Sequence, residues 1–242
     1  KTAAALDELA LPEGLGGDPR MRYLASMGIY LFEPQVLVSL LMGSTQDDFG
    51  KHIIPGAIHT VGVYAFPFEG YWGDIGTIAA FYEANLALTD PEPPFDFYHP
   101  DAPIYTHPGF LAGARIGACR IERSIVADGC RIHAAEIRRS VIGQRSIIGT
   151  GVRLHEAVVM GADYYESAED RERNAAQGIP DIGIGPGVVV ERAIIDKNAR
   201  IGERVVICNA ERVREADRDN FCVRDGIIVV PKNSVIPPGT VI

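Results

Sequence analysis

From Ile116 onward, aliphatic residues recur every five or six positions: Ile116, Ile121, Val126, Ile132, Ile137, Ile142, Ile148, Leu154 and Val159. After a polar interruption they resume at Ile184, Val190, Ile195, Ile201 and Ile207, and the closing IPPGTVI (Ile236 to Ile242) adds one more step. Neither a helix, at about 3.6 residues per turn, nor an alternating strand, at about 2, has that period. Gly or Asp often follows the aliphatic residue (Gly117, Gly143, Gly149, Asp196, Gly202), which suits tight corners where a Cβ would crowd the turn. This is a hexapeptide β-helix repeat. Each aliphatic side chain should point inward from one wall of a triangular prism, with three steps to a coil. Ile116 should then stack under Ile132 and Ile148, and Ile121 under Ile137 and Leu154, burying columns that no single coil could bury alone. The interruption from Ala162 to Asp181, helical at SAEDRERNAA, reads as a loop expelled from one coil, and Asn209 to Asp225 as a second excursion.

Ahead of the repeat the pattern changes. Tyr23 to Phe32 and Val61 to Phe68 read as strands. Pro34 opens a helix closed by Gly43, and DFGKHIIPG gives a helical turn stopped at Pro55. Ile78 to Leu88 repeats apolar residues at helical spacing, with Asp74 and Thr77 near its start. Residues 89 to 113 carry six prolines, which marks a linker and a domain boundary.

The formal net charge of -9 argues against nucleic-acid binding, but it is unevenly spread. Residues 1 to 113 hold 4 basic and 14 acidic residues, and the remainder holds 19 and 18. The chain has only four lysines, Lys1, Lys51, Lys197 and Lys232, against 19 arginines. Cys119, Cys130, Cys208 and Cys222 lack metal-binding spacing and read as buried or half-buried free thiols in a reducing compartment. No apolar run approaches the roughly 18 residues that span a bilayer, and no signal segment is visible, so a soluble, cytoplasmic protein is expected.

Hexapeptide prisms occur in acyltransferases and in sugar nucleotidyltransferases, so the repeat alone chooses no function. The strings YLASMGIYLF, DFGKHIIPG, YWGDIGTIAAFYEANL, APIYTHP, MGADYYES, IGIG and RAIIDKNARIG, in this order, resemble the ADP-glucose pyrophosphorylase family in its plant and cyanobacterial type. The resemblance runs from about Tyr23 to Ile242. It implies the α/β remnant of a Rossmann-like nucleotidyltransferase domain over residues 1–95, a Pro-rich linker over 96–113, and an all-β left-handed parallel β-helix over 114–242. The implied reaction joins ATP and glucose 1-phosphate to ADP-glucose and pyrophosphate, with Mg²⁺ as cofactor, in glycogen or starch synthesis. The family's Gly-rich loop, first metal-binding aspartate and Glu-Lys-Pro element do not occur in these residues. The expectation is therefore a C-terminal fragment, inactive alone, of an enzyme that is cytoplasmic, or plastidic in a plant. The resemblance also implies a homotetramer or heterotetramer, built through β-helix faces. The alternatives are a non-catalytic regulatory or assembly subunit, another sugar nucleotidyltransferase with a different base or sugar, and a hexapeptide acyltransferase using His133 or His155 as base, which leaves YWGDIGT without a role.

The resemblance assigns site residues as well. Asp74 in YWGDIGT matches the second metal-binding aspartate, although from the residues alone it reads as a helix cap. Ser26 matches a contact to the product's sugar, with Met27 and Gly28 shaping the same wall. Trp72 packs beside the site or in the core. Lys197 and Lys232 match lysines that bind the activator, 3-phosphoglycerate, and a compact ammonium suits a phosphate or carboxylate that must come and go. His107 and Gly109 fall where plant enzymes carry Gln and Arg at an anion site, phosphate being the usual inhibitor. Asp196, Arg192 and Arg200 either complete an anion pocket around Lys197 or form ion pairs across coils.

Overall fold

A computed structural model describes residues 25–46 and 48–242. The chain divides into two compact units between Trp72 and Gly73.

In the first unit, Pro34 opens helix α1 (Pro34–Met42), where its missing N–H has no bond to lose. Gly43 ends it, donating its N–H to the Ser39 carbonyl at 3.1 Å. Asp48 caps a π-helical turn, Phe49–Ile53, by accepting from the Lys51 N–H at 2.8 Å. Helix α2 (Ile54–Ala57) follows, and here the expectation fails: Pro55 lies in the first turn of α2 and opens it rather than stopping it. The two expected strands also fail. Their described residues are not strands, with Leu31, Tyr64 and Phe66 each 88% or more exposed, whereas Tyr23 and Leu24 lie outside the described residues. A strand is defined by the neighbour that takes its N–H and C=O groups, and no described residue offers one here.

The second unit begins with helix α3 (Ile78–Ala87), whose N-cap is Thr77, accepting from the Ala80 N–H at 3.1 Å. The Pro-rich stretch after it contains neither helix nor strand. From Arg115 the chain winds as a parallel β-helix. Ile116 pairs in register with Ile132 and Ile132 with Ile148, as the spacing requires, and the column continues through Ile184, Ile201 and Ile236. A second column runs Ile121, Ile137, Leu154, Val190, Ile207. The third runs Val126, Ile142, Val159, Ile195, Val230. Ile137, Ile142, Ile148, Ile201 and Ile236 are fully buried, each such side chain contributing on the order of 2 kcal/mol of burial. The coils nest closely: a Cβ on Gly149 would meet the Pro186 nitrogen at 2.8 Å, and one on Gly202 the Pro238 nitrogen at 2.5 Å.

One wall is apolar on both faces. Val158, Ile194 and Ile227 lie outside the prism yet are buried, because α3 lays Tyr82 and Leu86 across them. The Tyr82 hydroxyl donates to the Glu156 carbonyl at 2.6 Å, and burial pushes its pKa up. Arg139, Glu156 and Arg192 all have positive φ and carry a charge ladder, Arg139 to Glu156 at 2.7 Å and Arg192 to Glu156 at 3.7 Å. Asp90, just past α3, takes Arg123 and Arg139 from the same ladder.

Both excursions leave the prism. The first carries helix α4 (Ala168–Gln177), opened by a Ser167–Asp170 capping box and closed by Gly178 at φ 67°. The second folds into strands Ala216–Asp217 and Cys222–Arg224, which pair antiparallel with each other and then with Ile227–Val230. Cys130 is buried, and Cys119, Cys208 and Cys222 are half-buried free thiols. No helix among the described residues is long and apolar enough to cross a membrane.

Candidate functional site

Two turns at one corner of the prism are near copies, Asp196–Lys197–Asn198–Ala199 and Pro231–Lys232–Asn233–Ser234. Each follows a strand of the third column, and each puts its Asn in the left-handed region, at φ 60° and 62°. Asn tolerates this conformation because its short amide finds local partners. The two turns lie on neighbouring coils, with the Asn233 N–H donating to the Lys197 carbonyl at 3.0 Å. Lys197 and Lys232 therefore occupy equivalent places, one coil apart.

Between them stands Asp163, from the start of the first excursion. Its carboxylate receives the Lys197 ammonium at 3.2 Å and the Lys232 ammonium at 2.6 Å. The Asn198 amide donates to it at 3.0 Å, and the Asp163 N–H donates to the Asn198 side-chain oxygen at 2.8 Å. The hydrogen bond from Lys232, followed by those from Asn198 and Lys197, holds the Asp163 carboxyl down at about 2. The same contact raises the Lys232 ammonium above its ordinary value. Asp196 takes the Lys197 N–H at 2.6 Å and adds negative charge beside Lys232. All three side chains remain open to solvent, Lys197 at 44%, Lys232 at 48% and Asp163 at 36%.

The excursion that delivers Asp163 is anchored independently. Glu166, almost fully buried, pairs with Arg200 at 2.7 Å and accepts from the Ile182 N–H at 2.7 Å and the Asn174 amide at 2.7 Å. The Tyr165 hydroxyl donates to the Gly129 carbonyl at 2.7 Å, with the Arg131 guanidinium 5.1 Å above the Tyr165 ring.

The other candidates are distributed differently. Arg192 and Arg200 belong to ion pairs, with Glu156 and Glu166, rather than to the lysine pair. His107 is exposed on the linker and, among the described residues, makes no ion pair with the cluster. Two residues on, a Cβ on Gly109 would lie 3.6 Å from the Gln144 amide nitrogen, and the Gln144 carbonyl accepts from the Ala162 N–H at 2.9 Å. The linker thus passes beside the corner that carries Asp163.

Asp74 lies at the start of the second unit, exposed, with one carboxylate oxygen accepting from the Gly76 N–H at 3.1 Å. Thr77, not Asp74, caps the helix, so capping does not account for this carboxylate. A Cβ on Gly76 would come within 3.2 Å of that oxygen. Among the described residues no three His, Cys, Asp or Glu side chains gather as a metal cluster. One exposed carboxylate still fits Mg²⁺, which takes few protein ligands and fills its shell with phosphate oxygens and water. In the first unit the chain bends at Gly28, just after Ser26 and Met27, with Gly28 at φ 71°. The Ser26 hydroxyl accepts from the Gly28 N–H at 3.2 Å and bonds the Tyr30 hydroxyl at 3.0 Å. Trp72 is 42% exposed.

Asp163 has no role in the sequence reading beyond membership of MGADYYES. Its partners come from turns far along the chain, and only the coil register brings them together.

Two family models match the chain. The model for the GLGC left-handed parallel β-helix domain covers residues 109–241, and that for nucleotidyl transferase covers residues 12–91. The first spans more than half of the chain, and the order of the two is that of ADP-glucose pyrophosphorylase-like proteins. Nucleotidyl transferase sequence leading into a left-handed parallel β-helix, in one chain, places this protein in the ADP-glucose pyrophosphorylase-like family.

Proposed function

We propose that the chain serves as part of a glucose-1-phosphate adenylyltransferase of the plant and cyanobacterial type, converting ATP and glucose 1-phosphate to ADP-glucose and pyrophosphate for glycogen or starch synthesis. The observation that carries this reading is the succession of the two matched domains in one chain. In that reaction the glucose 1-phosphate oxygen attacks the α-phosphorus of ATP and pyrophosphate leaves. Rate comes mainly from holding anions in line and neutralising their charge.

The roles then divide by chemistry. Asp74 would hold the Mg²⁺, which when bound offsets negative charge on the phosphates. Ser26 offers a hydroxyl to the sugar, on a bend that Met27 and Gly28 shape, and the exposed Trp72 indole is assigned an apolar contact in the same site. Lys197 and Lys232 form the activator site, suited to 3-phosphoglycerate, and the linker bearing His107 adds to the anion-binding region where phosphate inhibits. The assembly is a tetramer in the cytoplasm, or in the plastid of a plant.

The test is pyrophosphate release by the full-length protein from ATP and glucose 1-phosphate, with and without 3-phosphoglycerate. Turnover that rises with 3-phosphoglycerate supports the reading. Preference for another nucleotide or sugar phosphate overturns the substrate assignment, and turnover indifferent to 3-phosphoglycerate overturns the activator assignment.

A further inference from the structure

The lysine pair is already occupied by an anion of the protein's own. Resting on the reading of Lys197 and Lys232 as an effector site, we propose that Asp163 is an intramolecular competitor there, setting which anions enter: multiply charged phosphates, and not monocarboxylates.

Three observations carry this. The Asp163 carboxylate spans both ammoniums, one oxygen to each, as an incoming anion would. Its charge is not needed to hold its loop, because Glu166, Tyr165 and the Asp163 backbone N–H each have separate anchors on the prism. All three charged groups are also reachable from solvent, so the pair can open without unfolding anything.

The charge count then decides specificity. Lys197 and Lys232 face Asp163 and Asp196, and the Arg145 guanidinium donates to the neighbouring Ala162 carbonyl at 3.4 Å, so Asp163 and Asp196 cancel all but one of the corner's positive charges. A monocarboxylate displacing Asp163 exchanges one unit charge for another and gains nothing. A phosphate group carries close to two negative charges and three acceptor oxygens, so it outcompetes the carboxylate. Asp163 thereby turns a generic cationic corner into one that answers only to phosphorylated ligands.

The experiment measures binding of inorganic phosphate and of acetate to the full-length protein by calorimetry, in a buffer free of other anions. Asp163→Asn keeps the shape and the acceptor toward Asn198 while removing the charge. Phosphate binding should tighten about fivefold, the scale expected for releasing two partly exposed ion pairs, and acetate binding should appear. Asp163→Glu, which keeps the charge, should retain the wild-type preference. Unchanged or weaker phosphate binding by Asp163→Asn overturns the proposal, as does equal tightening by Asp163→Glu. The double variant Lys197→Ala with Lys232→Ala separates the two claims. If it loses phosphate while Asp163→Asn does not gain it, only the competitor role falls; if it binds as the wild type does, the effector site itself is wrong.

Discussion

Asn198 and Asn233 occupy the same left-handed corner on neighbouring coils, and the side-chain amide of the first donates to the side-chain oxygen of the second at 3.1 Å. Their two turns are thereby tied to each other and, through Asn198, to Asp163. Asn198→Ala should destabilise the protein by about 2 kcal/mol, combining the left-handed backbone cost with lost hydrogen bonds. Asn198→Gly should cost less, since it spares the backbone part. Denaturant unfolding of both variants checks this, and equal losses would mean that backbone conformation plays no part.

Glu166 and Arg200 bring a buried ion pair to the base of the first excursion. Glu166→Ala leaves the guanidinium facing only the Pro180 carbonyl, at 2.8 Å, and should cost about 3 kcal/mol. Adding Arg200→Met should recover part of that loss, because the pair replaced together leaves no unpaired charge. Strictly additive losses in unfolding experiments would show that the two do not act as a pair.

Tyr82 fastens α3 to the prism through one hydroxyl and one ring. Tyr82→Phe should cost about 1 kcal/mol by orphaning the Glu156 carbonyl. Leu86→Ala, which opens a void against Val158, Ile194 and Ile227, should cost about 3 kcal/mol. Amide exchange in α3 is the readout, and it should accelerate in the same order.

Asp163 gives the site a defined acid limit. Its carboxyl is held at about 2 against an ordinary 3.8, so its contribution to stability is fully present above about pH 4 and is lost as the pH falls toward 2. The melting-temperature gap between the wild type and Asp163→Asn should therefore be constant from about pH 7 to 5 and close below about 4. It should also shrink in salt, because the pairs are partly exposed. A gap indifferent to both would remove ion pairing as its cause.

If Asp74 holds the metal as proposed, Asp74→Asn should abolish most turnover in the adenylyltransferase assay while changing unfolding stability by no more than about 0.5 kcal/mol, since the side chain is exposed and does not cap α3. Retained activity with Mg²⁺ would take the metal-binding role away from this carboxylate.

The prism was largely legible because its period is unlike any other: Ile116, Ile132 and Ile148 stack where their spacing puts them. Val230 escaped the count because Ile227–Val230 is apolar throughout, hiding the inward position. That run, with Ala157–Val159 and Ala193–Ile195, carries the signature of a wall buried on both faces, which is the seat of α3. The strands expected in the first unit were not found because residue type, for Tyr23 to Phe32, and alternation, for Val61 to Phe68, describe side chains and supply no hydrogen-bonding neighbour. At the site, Lys197 and Lys232 stood out by scarcity, whereas the importance of Asp163 depends on a register that no local string displays.

Coils nested so tightly that the corner residues Gly149 and Gly202 cannot gain a methyl group leave only the loops expelled from the corners free to change. Both excursions depart there, and so do the two lysine turns. Variation in such a protein is confined to its edges, where a loop can be lengthened, shortened or rewritten while the interior stays in step. Exposed positions of those loops can therefore change without touching the buried columns, whereas the anchors Glu166 and Asn198 cannot.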